Sequence, residues 1–407
     1  MRFGRCAPLV MAAALVALAA CGVAPSVHDA ASSSGSIHPT VDGNQLIDAR
    51  SGAAWVPHGV NWPDLEYSCV QGWQPDHPAS ETQQMATWGI DVVRLPLNED
   101  CWLGVDGAPV GITASAYRTE VAQRVAAIHA AGMVAILDLH WSAPTGSFAD
   151  GQRSMPDAQS TTFWTQVATA YKNDPSVMFE LFNEPYSRGN HSVNWSCWAN
   201  GGCNVPIEND NESTSGTTYK AVGMKTLVAA VRGTGASQPI LLGGLNYSND
   251  LTGWLANAPA DDQLVAAWHN YPGQGCSDTS CWDTTIVGVA AHVPVLMTEF
   301  GYEAGDSGQF QDTMTWADQH GMGYLPWAWW LTDPAYDDEA AQLYALVDGD
   351  DFHPKAPGGT QFHDHLATLS LPAPPTSVPS TSPPPSNDID VINGPATAGA
   401  PAVRGGS

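Results

Sequence analysis

The chain alternates apolar, strand-like runs with segments of helical period, and this alternation constrains its fold more than any other feature. The strand candidates are 54–62 (AWVPHGVNW), 90–97 (IDVVRLPL), 133–140 (MVAILDLH), 177–184 (VMFELFNE), 239–245 (PILLGGL), 264–271 (LVAAWHNY), 293–300 (VPVLMTEF) and 322–330 (MGYLPWAWW). Apolar runs of this kind bounded by Pro and Gly fit strands buried on both faces of a parallel sheet. Between the second and third, residues 114–131 place Tyr117, Val121, Val125 and Ile128 on one helical face, and Gly132 follows as a C-cap. Residues 160–173, 216–232 and 309–320 also read as helices. Eight β–α alternations over about 320 residues fit a (β/α)8 TIM barrel with long loops better than an open doubly wound sheet. Residues 41–53 (VDGNQLIDARSGA) read as a small hairpin closing the barrel floor.

Two of the runs end in carboxylates, Glu184 within Asn183-Glu184-Pro185 and Glu299 within Thr298-Glu299-Phe300-Gly301. An ionised group at the mouth of a buried strand is costly unless it is partnered. Two at equivalent positions point to paired-carboxylate chemistry, of which glycoside hydrolysis is the leading example. Other polar groups fall at the same ends: Arg94 in the second strand, His140 in the third, His269 and Tyr271 in the sixth, and Trp327, Trp329 and Trp330 in the eighth. Each alone has a structural explanation, as an ion-pair partner, a hydrogen-bonded histidine or a core tryptophan. Their joint placement at strand ends of one barrel, where barrel active sites sit, favours a catalytic site. Glu180, four residues deeper than Glu184, reads as part of a polar network inside the barrel. Glu303, just past the seventh strand, reads as a rim or substrate-contact residue.

The 14 Lys and Arg against 41 Asp and Glu leave a formal charge of −27, which argues against nucleic acid and anionic membrane surfaces as partners. The first 21 residues read as an export signal: Arg2 and Arg5 precede a short apolar stretch, and Leu18-Ala19-Ala20-Cys21 resembles a bacterial lipobox with Cys21 as the lipidated N-terminus. Cleavage of an ordinary signal peptide near the same alanines is the alternative. The expected location is therefore outside the cell, either lipid-anchored or secreted, with the membrane met only through that anchor. Residues 22–40 read as a tether, and 371–407, dominated by Pro, Ser, Thr, Gly and Ala, as a disordered tail around a catalytic block of 41–370. Six cysteines remain for an oxidising compartment. Their short spacings pair Cys197 with Cys203 and Cys276 with Cys281, leaving Cys69 with Cys101. No CxxC pair occurs, so a metal site is the weaker reading.

Long loops would sit over the barrel mouth. The first carries Trp62, Glu66, Tyr67 and Trp73, the second Glu99, Asp100 and Trp102, the fourth Trp195 and Trp198, and the sixth Trp282. Acidic and aromatic side chains there suit a sugar-binding cleft, although each Trp has an equally ordinary place in a core.

Taken together, Arg94, His140, Asn183-Glu184-Pro185, His269-Asn270-Tyr271, Glu299 in TEFG and the terminal Trp cluster resemble glycoside hydrolase family 5, the cellulase family of the retaining clan, over about residues 41–370. The resemblance implies Glu184 as general acid/base, Glu299 as nucleophile and Asn183 as the ligand of the sugar 2-hydroxyl. It implies Arg94 and Tyr271 as the groups that hold Glu299, with His140 and His269 lining the cleaved-sugar subsite. The WAWW run aligns in two registers, and Trp329 is the expected sugar platform. The implied activity is retaining hydrolysis of a neutral β-linked polysaccharide or oligosaccharide by a monomer that needs neither metal nor cofactor. β-1,4-Glucan is the default substrate, with β-mannan, β-1,3-glucan or a glycoconjugate as alternatives. A non-catalytic oligosaccharide-binding lipoprotein is the rival class, and it gives no reason to keep both glutamates with their Arg and Tyr.

Overall fold

The computed structural model describes residues 36–72, 79–107, 111–303, 307–331, 339–349 and 351–369. The expected export signal with Cys21, most of the tether, Trp73 and the C-terminal tail lie outside the described residues.

Eight strands form one sheet in chain order: β1 (Gly59–Asn61), β2 (Val92–Asn98), β3 (Val134–Trp141), β4 (Val177–Glu180), β5 (Ile240–Gly243), β6 (Leu264–Asn270), β7 (Val295–Phe300) and β8 (Gly323–Tyr324). Every neighbouring pair is parallel. The ends of the sheet meet: His58 bridges Tyr324 in parallel, and Trp329 N–H donates to the Asn61 carbonyl at 2.8 Å. The result is a (β/α)8 barrel. Gly59 sits at this tight seam, where a Cβ would collide with the Val92 carbonyl and side chain.

Two-residue alternation along the strands divides the apolar side chains into two layers. Val92, Val134, Ile136, Met178, Leu241, Val265, Ala267, Leu296 and Leu325 fill the barrel interior. Leu46, from a hairpin of Pro39–Asp42 and Gln45–Asp48, and Trp55 pack onto the same cluster, which closes the floor as expected. The other face packs on the surrounding helices, where Val121, Val125 and Ile128 of helix Ala114–Ala130 meet Val93, Leu95 and Ala135 in one core. Thr113 caps that helix through Ala116 N–H, and an Asp157–Ser160 capping box starts Ala158–Tyr171.

Several strands are shorter than the apolar runs that announce them. The β4 ladder ends at Glu180, and residues 181–183 then bond alternately to both neighbours, Leu181 N–H to Leu241 O at 3.1 Å and Asn183 N–H to Leu139 O at 3.0 Å. β8 similarly stops pairing at Tyr324, short of the mouth, whereas β1 is shortened at its floor end, its ladder with β2 beginning only at Gly59. The helix expected over 216–232 begins only at Met224, because Thr218–Lys220 instead pairs antiparallel with Asn204–Pro206. All three expected disulfides are present: Cys69–Cys101 ties the loop after β1 to that after β2, Cys197–Cys203 closes part of the β4 insertion, and Cys276–Cys281 closes a turn after β6.

On the outside of the seam, Asp318 accepts from His365 Nε2 at 2.7 Å and lies 3.5 Å from His58 Nε2, linking helix Gly308–Gln319 to the C-terminal helix Gly358–Leu369. Burial alone would raise its carboxyl, but these two partners outweigh it and hold the pKa down at about 2. A depressed carboxylate adds stability above its unfolded pKa, and the contribution disappears as pH falls through the folded value. Asp318→Asn is therefore expected to destabilise the fold by about 1 kcal/mol at pH 6, allowing for solvent screening at this partly exposed site. The difference in melting temperature from wild type should shrink steadily between pH 4 and pH 2.

Candidate active site

Arg94 of β2 is wholly buried, so its charge must be met by partners inside the barrel. Its fork reaches four strands and the segment just beyond one of them, β4. Nε donates to Glu180 Oε2 at 2.6 Å, and Nη1 to Glu299 Oε1 at 2.6 Å and Asn61 Oδ1 at 2.9 Å. Nη2 donates to Asn183 Oδ1 at 2.7 Å and lies 3.0 Å from Asp138 Oδ2. Burial works against the guanidinium charge, but Asp138, Glu180 and Glu299 more than offset it and raise its pKa above the ordinary value. Glu180 belongs to this interior network, as expected from its depth.

Glu299, at the end of β7, is 5% exposed and held on both oxygens: Oε1 by Arg94 and Oε2 by Tyr271 O–H at 2.9 Å. Glu184 stands opposite and is partly open to the mouth. Its Oε1 is 2.8 Å from His269 Nδ1, which is also 3.6 Å from Glu299 Oε2. One oxygen of each glutamate and a ring nitrogen of His269 thus lie within 4.8 Å of one another.

The two carboxylates differ in their surroundings. Burial pushes the Glu184 carboxyl up to about 8; Arg94 pulls against this, while Asp210, Asp138 and Glu180 add to it. Both histidines are driven toward neutrality. Burial lowers His140 to about 3 and His269 to about 4, with Arg94 assisting and Glu299 opposing in each case. His140 Nδ1 sits 2.7 Å from Asp138 Oδ2, and its ring stacks on Trp327 with centroids 5.4 Å apart and planes 15° apart.

Of the residues expected from sequence, Arg94, His140, Asn183, Glu184, His269, Tyr271 and Glu299 converge on one site. Trp329 does not. It is 1% exposed, its indole N–H donates to Glu81 at 3.0 Å, and it packs against Trp88 at 4.8 Å, so no ring face is free for a sugar. Trp327, two residues earlier, is the aromatic ring beside His140. The expected aromatic and acidic mouth needs a similar correction: Trp62, Trp102, Trp198, Trp282, Glu66, Glu99 and Asp100 are buried beneath the loops. The aromatics at the strand ends are Tyr67, Trp141 and Trp330, with Tyr67 and Trp141 4.8 Å apart.

Four supporting residues escaped sequence reading, Asn61 at the end of β1 being the first. Asp138 precedes His140 by two positions and shares its strand face, a signal that was available. Gln152, in an irregular loop, accepts from Asn183 Nδ2 and donates to the Glu184 carbonyl, both at 3.0 Å, and nothing in its local sequence marks it. Thr298 shares the inward face with Leu296, but beside Glu299 regular alternation leaves only one of the two facing the site, and the glutamate was the one read.

A closed parallel barrel with two carboxylates facing each other at its C-terminal mouth is the architecture of the barrel glycoside hydrolases. The chain matches the model for Cellulase (glycosyl hydrolase family 5) over residues 53–333, and it belongs to that family. It is 24% identical over 305 residues to Endoglucanase N of Pectobacterium atrosepticum, covering 72% of this chain and 57% of that one. It is 26% identical over 275 residues to Endoglucanase 1 of Saitozyma flava, covering 61% and 72%. The chain thus spans little more than half the length of the Pectobacterium relative. Among solved structures, β-glucanase SdGluc5_26A of Saccharophagus degradans superposes with a TM-score of 0.63 at 21% identity, covering 85% of this chain and 97% of that one. The catalytic domain of Thermobifida fusca endoglucanase Cel5A superposes with 0.57 at 17% identity, covering 81% and 97%. At these identities the superpositions speak to the fold.

The two tryptophans separate by experiment. Trp329→Ala should destabilise the fold by about 3–5 kcal/mol, the cost of emptying a buried aromatic site. Trp327→Ala should leave the melting temperature within a few degrees of wild type and weaken binding of soluble oligosaccharide at least tenfold by calorimetry.

Proposed function

We propose that this chain is a retaining β-glycosidase that cleaves a β-linked glucan, with β-1,4-glucan as its substrate. The observation that carries this reading is the contrast between two carboxyls a few ångströms apart. One is held in place by a guanidinium and a phenol, and the other carries a raised pKa beside a neutral histidine. A contact within 4.8 Å fits the spacing of about 5–5.5 Å between carboxyl groups in retaining enzymes better than the about 6.5–9.5 Å that inverting enzymes need for a water.

In the first step Glu299 attacks the anomeric carbon. The bond from that carbon to the leaving oxygen breaks, and the Glu184 proton passes to that oxygen. In the second step the Glu184 carboxylate takes a proton from water. The water oxygen bonds to the anomeric carbon, and the ester to Glu299 breaks. Arg94 and Tyr271 keep Glu299 oriented for attack. Asn183, fixed by Arg94 and Gln152, presents its amide to the sugar 2-hydroxyl, and His140 with Trp327 borders the ring being cleaved. The names of the relatives support a glucan: two are called endoglucanases, and the Saccharophagus enzyme carries cellotetraose in one of its structures. The same reading takes the chain as exported, either lipidated at Cys21 or freely secreted, which agrees with three disulfides.

Purified protein assayed on β-1,4-glucan, β-1,3-glucan, β-mannan and aryl glycosides should hydrolyse the first most rapidly; a preference for mannan would correct the substrate and leave the mechanism. Glu184→Ala and Glu299→Ala should each lose about 10²–10⁴-fold or more in kcat on polysaccharide while keeping the wild-type circular dichroism. With azide and an activated aryl β-glycoside, Glu299→Ala should yield the α-glycosyl azide and Glu184→Ala the β-glycosyl azide. The opposite pairing would exchange the two roles, and full activity in either variant would end the assignment.

A further inference from the structure

Thr298 lies next to Glu299 on β7, and regular alternation from Leu296 of the barrel interior turns Thr298 inward and would turn Glu299 outward. Glu299 faces inward as well because pairing with β6 skips Thr298: Met297 pairs with Trp268 and Glu299 with His269, leaving Thr298 as the extra residue of a bulge. Thr298 is fully buried, and its hydroxyl faces two groups, Glu180 Oε1 at 2.9 Å and His269 Nε2 at 3.1 Å. His269 in turn faces Glu184 through Nδ1. A continuous hydrogen-bonded line therefore runs from Glu180 through Thr298 and His269 to Glu184.

We infer that Thr298 and Glu180, acting through the tautomer of His269, are positioning residues that keep the proton on Glu184 before each catalytic cycle. The inference rests on Glu184 being the general acid. Its basis is that each group in the line has a limited number of protons to give. Burial raises the Glu180 carboxyl and Arg94 opposes this, its Nε donating to the other oxygen at 2.6 Å; with that ion pair intact Glu180 accepts the Thr298 proton. The Thr298 oxygen, its one proton committed, accepts from His269 Nε2–H. A neutral imidazole protonated at Nε2 has a lone pair at Nδ1, and Glu184 bonds to that lone pair only as a protonated carboxyl.

The alternative state moves three protons along the same line. Glu184 O–H breaks as Nδ1–H forms, Nε2–H breaks as Thr298 O–H forms, and the original Thr298 O–H breaks as Glu180 O–H forms. It is disfavoured because it would place a neutral carboxyl against the Arg94 guanidinium. The surrounding charges favour the same resting state. One cation, Arg94 on β2, serves Asp138 on β3, Glu180 on β4, Glu299 on β7 and, farther off, Glu184, while Asp210 from the β4 insertion adds negative charge and His140 and His269 stay neutral. Tyr271, just past β6, directs its hydroxyl to Glu299 at 2.9 Å, and the imidazole stands farther from that carboxylate, at 3.6 Å, than from Glu184 at 2.8 Å. With more carboxyls than cations, the cluster holds protons, and the line places one at Glu184.

The tautomer can be read directly by nitrogen-15 NMR of histidine-labelled full-length protein, with His269→Gln supplying the assignment. At pH 6, His269 should show a protonated Nε2 and a bare Nδ1. Above the titration of Glu184 the proton should move to Nδ1. A protonated Nδ1 at pH 6 would overturn the inference, whatever substrate the enzyme turns over. In kinetics, Thr298→Val should move the basic limb of the kcat/KM–pH profile about one unit toward acid, the scale of one hydrogen bond to a charged group, while Thr298→Ser keeps the wild-type limb. An unmoved limb in a folded Thr298→Val protein would also overturn it. Should that variant fail to fold, the wild-type tautomer decides. Full activity of Glu184→Ala, by contrast, would remove the general-acid reading itself.

Discussion

The Arg94 guanidinium is the interaction on which the rest of the site depends. It is a wholly buried cation, and its five contacts come from Asn61, Asp138, Glu180, Asn183 and Glu299, drawn from β1, β3, β4 and β7 and from just beyond β4. Each of those groups is itself buried and costly to leave unmet. The network is therefore stable only when all of its members arrive in register. Removing one partner of a buried ion pair typically costs about 3–5 kcal/mol, so the constraint falls on backbone position as much as on charge. A lysine in place of Arg94 would keep the charge and lose the fork.

From that centre the site divides into two electrostatic halves. On the Arg94 side, Glu299 is fixed by two donors and has no freedom to rotate. On the other, Glu184 meets a neutral imidazole and a ring of carboxyls at Asp138, Glu180 and Asp210, and its carboxyl titrates near 8. One fold thus gives two chemically identical side chains contrasting environments through their neighbours. The bulge at Thr298 is the backbone device that lets consecutive residues of β7 serve both halves, Glu299 toward Arg94 and Thr298 toward His269.

Much of this was legible in the sequence because it follows from periodicity and from costly residues in apolar runs. A charged residue at a strand end announces itself, and Arg94, Glu184 and Glu299 were each placed that way. What was not legible depended on irregular backbone. The bulge that turns Glu299 inward beside Thr298 has no local composition signal, and neither does the loop that brings Gln152 under Asn183. The WAWW run misled for a related reason. Its residues lie beyond the β8 ladder, where two-residue alternation no longer assigns faces, so Trp329 enters the core and Trp327 faces His140. The loop tryptophans were misplaced because a large ring serves equally well as a loop's own core.

The stereochemistry of the first product tests the central claim, two carboxylates acting in succession on one anomeric centre. Proton NMR of a β-glucan oligosaccharide during rapid hydrolysis, before mutarotation, reports which anomer forms first. Double displacement through Glu299 predicts that the new reducing end appears as the β-anomer and only later equilibrates. Initial appearance of the α-anomer would mean single displacement by water and would contradict the account.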